Sequence, residues 1–287
     1  MTTRSMSSVS VTMAMLAFVN VVVAQTVAKP TATPAPAPRT VDGKPDLSGV
    51  WGVINRAPGI DTRKREESVV VEKIYGRLES TPPAMTPWEE ERYLYNRDPR
   101  KSNTENFGAR EELKPSHHCV PYGPVVLNAN MAGSGEAIGG YEIIQSARRV
   151  LIIYELDHNV RQIWTDGRGH PSKDELDYTW MGDSIGRWEG DTLVVDTVGI
   201  RNEPWIDLAG HVSSRQMRME ERYTRLDHDT MRVEWTVDDP IAFTKPWTQK
   251  MYNRLRNWDL AEDVRCYPGS QELRNQEQIF HFGATNQ

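Results

Sequence analysis

From residue 141 onward the chain is a succession of short β-favouring runs, separated by turns so tight that each run must lie beside the next. Residues 141–145, 150–156 and 160–165 concentrate Ile, Val, Leu and Tyr, with only a few polar residues between them. A parallel crossover needs a dozen or more residues, so runs this close pair antiparallel. Further runs follow at 186–188, 192–198, 217–226, 230–237, 247–256 and 260–266. Glu189-Gly190-Asp191, Asp227-His228-Asp229 and Asn257-Trp258-Asp259 separate some of them and are rich in residues that accept bends. A meander of this length must curl or close to bury its apolar face. The expected fold is therefore all-β: one continuous antiparallel meander over 141–266 closing into a barrel, with one short helix and a long N-terminal excursion.

The helix is expected at Thr86-Pro87-Trp88-Glu89. Thr86 suits the N-cap, Pro87 the first helical position, and Glu89 the capping-box partner that reaches back to the cap, with the helix running to about Asn96. Residues 66–75 suit a strand or a surface excursion. Residues 98–122 are polar and turn-rich, long enough that they are expected to cover something.

The N-terminus has the three zones of a secretory signal. Arg4 supplies the positive start, residues 9–23 the apolar run, and Val22 and Ala24 the small residues of a cleavage site. The expected organisation is a signal peptide at 1–24, a Pro/Ala-rich linker at 25–45 and a β-barrel domain at 46–287. A retained anchor is the alternative, but the run is shorter than the roughly 20 residues that span a bilayer and no Lys/Arg cluster follows it. The mature protein is thus expected to be periplasmic or secreted, without stable membrane insertion. Cys119 and Cys266, in an oxidising compartment, are expected to form a disulfide. A formal net charge of −6 and the lack of a basic stripe with regular aromatics argue against a nucleic-acid binder.

Asp46-Leu47-Ser48-Gly49-Val50-Trp51 resembles the first strand of lipocalin-like (calycin) barrels, in which the Trp closes one barrel end. Together with Thr86-Pro87-Trp88, Asp166-Gly167-Arg168-Gly169-His170-Pro171, Trp188-Glu189-Gly190-Asp191-Thr192-Leu193 and Thr244-Lys245-Pro246-Trp247-Thr248, this wording also resembles a group of secreted bacterial proteins of unassigned activity. The resemblance implies export and a barrel, and leaves the chemistry open.

Candidate chemistry concentrates between residues 157 and 183 and again near His211. His158 lies in the turn before the run 160–165, and His170 lies beyond that run's far end. A six-residue strand spans roughly 20 Å, which separates those two imidazoles. His170 and His211, each after a glycine, form the better pair for proton transfer or for a metal, with Asp166, Asp183 or Asp207 as orienting carboxylates. Arg161 or Arg168 would hold an anionic group, and Trp180, Asp183 and His158 would contact the substrate. Alternation over 217–226 and 230–237 sets a mixed apolar face against a ladder of Arg and Glu. That ladder is a solvated face, or else lines a polar cavity with Glu220 and Arg222 as ligand contacts. The chain has no Gly-x-Ser-x-Gly elbow, no phosphate-binding Gly-x-x-x-x-Gly-Lys-Ser/Thr loop and no His-Glu-x-x-His. Neither cofactor nor resident metal is expected. Two functional readings stay open: a cofactor-independent acid–base enzyme (lyase, isomerase or hydrolase) on a small, partly apolar substrate, with His170, His211 and Asp166 catalytic, and a non-catalytic binding or carrier protein of the cell envelope.

Overall fold

The computed structural model describes residues 34–53, 84–97, 113, 120–128, 140–155, 158–207 and 210–260. Nine strands close into one barrel in sequence order: β1 Gly49–Val53, β2 Gly140–Gln145, β3 Arg149–Tyr154, β4 Val160–Trp164, β5 Asp183–Glu189, β6 Thr192–Val198, β7 Arg218–Arg225, β8 Thr230–Asp238 and β9 Trp247–Leu255. β9 returns to pair with β1, Trp51 opposite Leu255. The turns behave as their residue types require: Glu189 and Thr192 pair across Gly190-Asp191, and Gly190 takes a positive φ of 60°. Among the described residues no helix is long and apolar enough to cross a membrane.

Strand alternation decides which side chains fill the barrel. On β7, Met219, Glu221, Tyr223 and Arg225 are buried, and β8 adds Met231, Val233, Trp235 and Val237. Arg222 and Glu220 point outward instead, Arg222 reaching Glu189 at 2.8 Å and Glu220 at 3.5 Å. The cavity-lining alternative for Glu220 and Arg222 is thereby corrected: they belong to a solvated charge ladder, because Glu221 and Tyr223 between them take the inner face.

One seam departs from the expected continuous antiparallel meander. β4 and β5 run parallel and pair over only two residue pairs, Ile163 with Ser184 and Trp164 with Ile185. Residues 165–182 intervene, enough chain for a crossover. The chain just before β5 turns away from β4: Thr179 donates its amide to Gly199 O at 2.9 Å and accepts from the Arg201 amide at 2.9 Å. Gly182 makes that turn with φ +68°, and a Cβ there would lie 2.6 Å from Val198 O.

Inside the wall, Arg161 of β4 spans the seam. Its guanidinium donates to Ser184 Oγ on β5 at 3.2 Å, to Thr197 Oγ1 on β6 at 2.7 Å and to both carboxylate oxygens of Glu221 on β7. Arg161 and Glu221 are both fully buried. The Tyr223 hydroxyl donates to Glu221 at 2.7 Å, and the Tyr154 hydroxyl to Asn128 Oδ1 at 3.1 Å. Burial pushes the Tyr154 phenol up to about 12 and that of Tyr223 well above its ordinary value, so both remain donors. Burial alone would discharge Arg161, but the Glu221 carboxylate overrides it and holds the guanidinium charged.

Among the described residues two helices accompany the barrel. The expected one is α1, Pro87–Asn96, with Thr86 as N-cap. A short one, α2 Pro124–Asn128, is buried throughout and delivers the Asn128 amide to Glu221. The capping box is half formed: Thr86 Oγ1 accepts the Glu89 amide at 3.4 Å, but the Glu89 carboxylate accepts from Val212 N at 2.9 Å. The Thr86 amide donates to Ala242 O at 2.9 Å and so does not need Glu89. The strand-like runs expected at 66–75 and 260–266 and the excursion at 98–122 lie wholly or largely outside the described residues, as do Cys119 and Cys266.

Truncating one partner of the buried pair leaves the other charge stranded. Glu221→Ala should lose about 3–5 kcal/mol of unfolding free energy in urea titration, whereas the paired exchange Arg161→Met with Glu221→Leu should lose much less.

Candidate functional site

The short seam leaves a groove of about 360 Å³ on the outer wall. One side is the outward face of β4, Val160, Gln162 and Trp164, with Asn159 above it; the other is the stretch 179–184, including Trp180, Asp183 and Ser184. Each indole carries an arginine: Arg168 sits 3.6 Å from the centroid of Trp164, and Arg201 4.4 Å from that of Trp180. The groove therefore has aromatic walls, the amides of Asn159 and Gln162 and the carboxylate of Asp183, with cations at its rim.

Four of the residues singled out from sequence meet at this groove. Trp180 and Asp183 line it, Arg168 covers Trp164, and His170 Nδ1 lies 2.5 Å from Asp183 Oδ1. His170 Nε2 lies 3.4 Å from Asp196 Oδ2, and the Arg218 Nε donates to Asp196 Oδ1 at 2.7 Å. Burial opposes the Asp196 charge, but Arg218 and His170 hold its carboxyl below the ordinary value. His158 occupies the turn before β4 with φ 49°, adjacent in sequence to Asn159.

Asp166 has another partner than the one expected. It pairs with Arg168 at 2.7 Å and Arg148 at 3.3 Å, and the Arg168 hydrogen bonds hold its carboxyl well below the usual carboxylate range. The carboxylates on His170 are Asp183 and Asp196, because the chain turns back to β5 and brings Asp183 to the imidazole. Arg161 lies within the wall, its charge taken up by Glu221.

His211 sits in a second cluster beneath α1. Its Nδ1 lies 2.6 Å from Asp207 Oδ2, and its ring stacks on Tyr93 at 4.1 Å. Gly210 before it adopts φ +103° and packs so closely that a Cβ would lie 2.9 Å from that of Asn96, whose side chain donates to Gly210 O at 2.8 Å. The two imidazoles thus use separate carboxylates, His170 with Asp183 and Asp196, His211 with Asp207. Glu89 also belongs to the His211 cluster, and sequence reasoning assigned it only a capping role. It is fully buried, and Oε2 has no hydrogen-bond partner. Burial raises its carboxyl to about 8, against the lowering effects of the Val212 amide and His211. The signal available in sequence was a helical Glu beside Trp88 on the face that docks. Among the described residues no three His, Cys, Asp or Glu side chains converge as a metal site would require. Comparison with protein-family models, curated proteins and solved structures returns no match.

The electrostatics beneath α1 predict a direction of pH dependence. Glu89 in the folded protein titrates at about 8 against an ordinary 4.5, so its contribution to stability is complete below about pH 4.5 and is lost as pH rises through 8. The slope from this single group is at most about 1.4 kcal/mol per pH unit. Burial works against the His211 charge, but Asp207 raises its pKa overall, so it loses stability in the same direction above its ordinary 6.5. Urea titrations from pH 5 to 9 should show falling stability, and Glu89→Gln, which still accepts from Val212, should flatten the curve.

Proposed function

We propose that this chain is an exported small-molecule-binding barrel whose ligand occupies the groove between β4 and the stretch 179–184. The observation that carries this reading is the pairing of two indoles, Trp164 and Trp180, with Asn159, Gln162 and Asp183 around a volume of about 360 Å³. Aromatic walls with a few placed polar groups are what a small, partly apolar molecule requires. The N-terminal apolar run with Val22 and Ala24 supports export.

A catalytic reading of the same groove rests on His170 and Asp183. Asp183 is on the groove wall and hydrogen-bonds the imidazole at 2.5 Å, an arrangement that can take a proton from a bound molecule and return it. In that reading Asp183 meets the bound molecule and His170, hydrogen-bonded behind it, shares the proton.

Titration of a library of small aromatic and polyhydroxylated compounds, followed by tryptophan fluorescence, tests the reading. Compounds that bind should lose about tenfold or more in affinity, about 1.4 kcal/mol, with Trp180→Ala, and keep their affinity with Arg222→Ala on the outer charge ladder. Binding indifferent to Trp180→Ala would remove the groove as the site. Turnover abolished by His170→Ala, with affinity kept within about tenfold, would select the enzyme over the carrier.

A further inference from the structure

We infer that the groove takes an extended peptide, added as a strand to the open edge of β4. This rests on the reading of the groove as the binding site and names the class of molecule it binds.

The register fixes which backbone groups face the seam. The Thr165 amide donates to Arg148 O and the Tyr154 amide to Asn159 O, each at 2.9 Å, so the odd-numbered residues of β4 direct N–H and C=O toward β3. The even-numbered residues Val160, Gln162 and Trp164 direct theirs toward β5. The parallel ladder reaches only Ile163 and Trp164. The Val160 amide and carbonyl and the Gln162 amide therefore face the groove beyond the paired stretch. The chain that would have continued β5 upward is spent elsewhere, with Thr179 bridged to Ile200.

Proteins blunt exposed strand edges with Lys, Pro or inward-pointing charge. This edge carries Val160, Gln162 and Trp164, none charged, and Val160 is 55 % exposed. A donor, an acceptor and a second donor at strand spacing match the main chain of an extended peptide. Trp164 and Trp180 flank the slot and take alternate side chains of the guest, and Ser184, already paired with Ile163, closes it below. Affinity comes from main-chain pairing and selectivity from the indoles.

The test uses the full-length protein and a pooled library of blocked, extended hexapeptides. Members that bind should shift the amide resonances of Val160 and Gln162 and slow their hydrogen exchange, and should leave those of Arg161 and Ile163 unchanged. Val160→Pro removes a seam donor without touching the β3 ladder, and should weaken peptide binding about tenfold or more. N-methylation of alternate peptide residues should do the same in one phase and not in the other, which keeps the test independent of any folding defect in the proline variant. Three results would overturn the inference: no library member binds; peptides bind with no effect of Val160→Pro or of N-methylation; or a concentration-dependent dimer disappears with Val160→Pro, which would assign the edge to a second copy. In the second case a loss on Trp180→Ala leaves the groove itself standing. Small compounds and peptides alike indifferent to Trp180→Ala would remove the groove reading as well.

Discussion

The barrel is weakest where its backbone ladder is shortest, between β4 and β5, and Arg161 is what holds that place together from within. Two residue pairs between β4 and β5 are little hydrogen bonding for a seam of the wall. One guanidinium compensates by reaching Ser184, Thr197 and Glu221 on three successive strands. A buried ion pair adds modest net stability, but breaking it is expensive, and that asymmetry fixes register. The Arg161 contacts set β4 against β5 at one height, and from that height follow the length of the seam, the splay above it and the groove. Asn128 and Tyr223 complete the Glu221 shell, so α2 is tied to the same charge.

The barrel was legible in sequence because alternation and turn chemistry are local. Met219, Tyr223, Val233 and Trp235 fall on the inner face as their spacing requires, and the hairpin at Glu189-Gly190-Asp191-Thr192 forms where its residues point. The parallel seam was not legible: it depends on Thr179 finding Gly199 and Arg201, contacts between distant segments that leave no periodic trace. The same reason explains Asp166. It is four residues from His170 in sequence, but the arginines beside it in space, Arg148 and Arg168, are stronger partners. Trp180 and Asp183 were found because aromatic and acidic residues near a strand start are visible, whereas the place they share with Trp164 required the fold. Glu89 looked like half of a capping box, and only the docking of α1 shows that its carboxylate serves the Val212 amide.

The two histidine clusters have different physical settings. His211 is sealed beneath α1, stacked on Tyr93 and bonded to Asp207, and with Glu89 it ties the docking of α1 to pH. His170 is partly exposed, and its Asp183 partner reaches the groove wall. A buried imidazole whose carboxylate orients it suits structure, and an imidazole behind a groove-facing carboxylate suits proton exchange through that carboxylate.

Whether the seam is open is the point on which groove, ligand and peptide edge all depend, and amide hydrogen exchange along β4 in the ligand-free protein reads it directly. An open seam gives alternation: Val160 and Gln162 exchange fast, and Arg161 and Ile163, held by β3, exchange slowly. Equal, strong protection of Val160, Arg161, Gln162 and Ile163 would mean that both edges of β4 are paired, and would contradict the account.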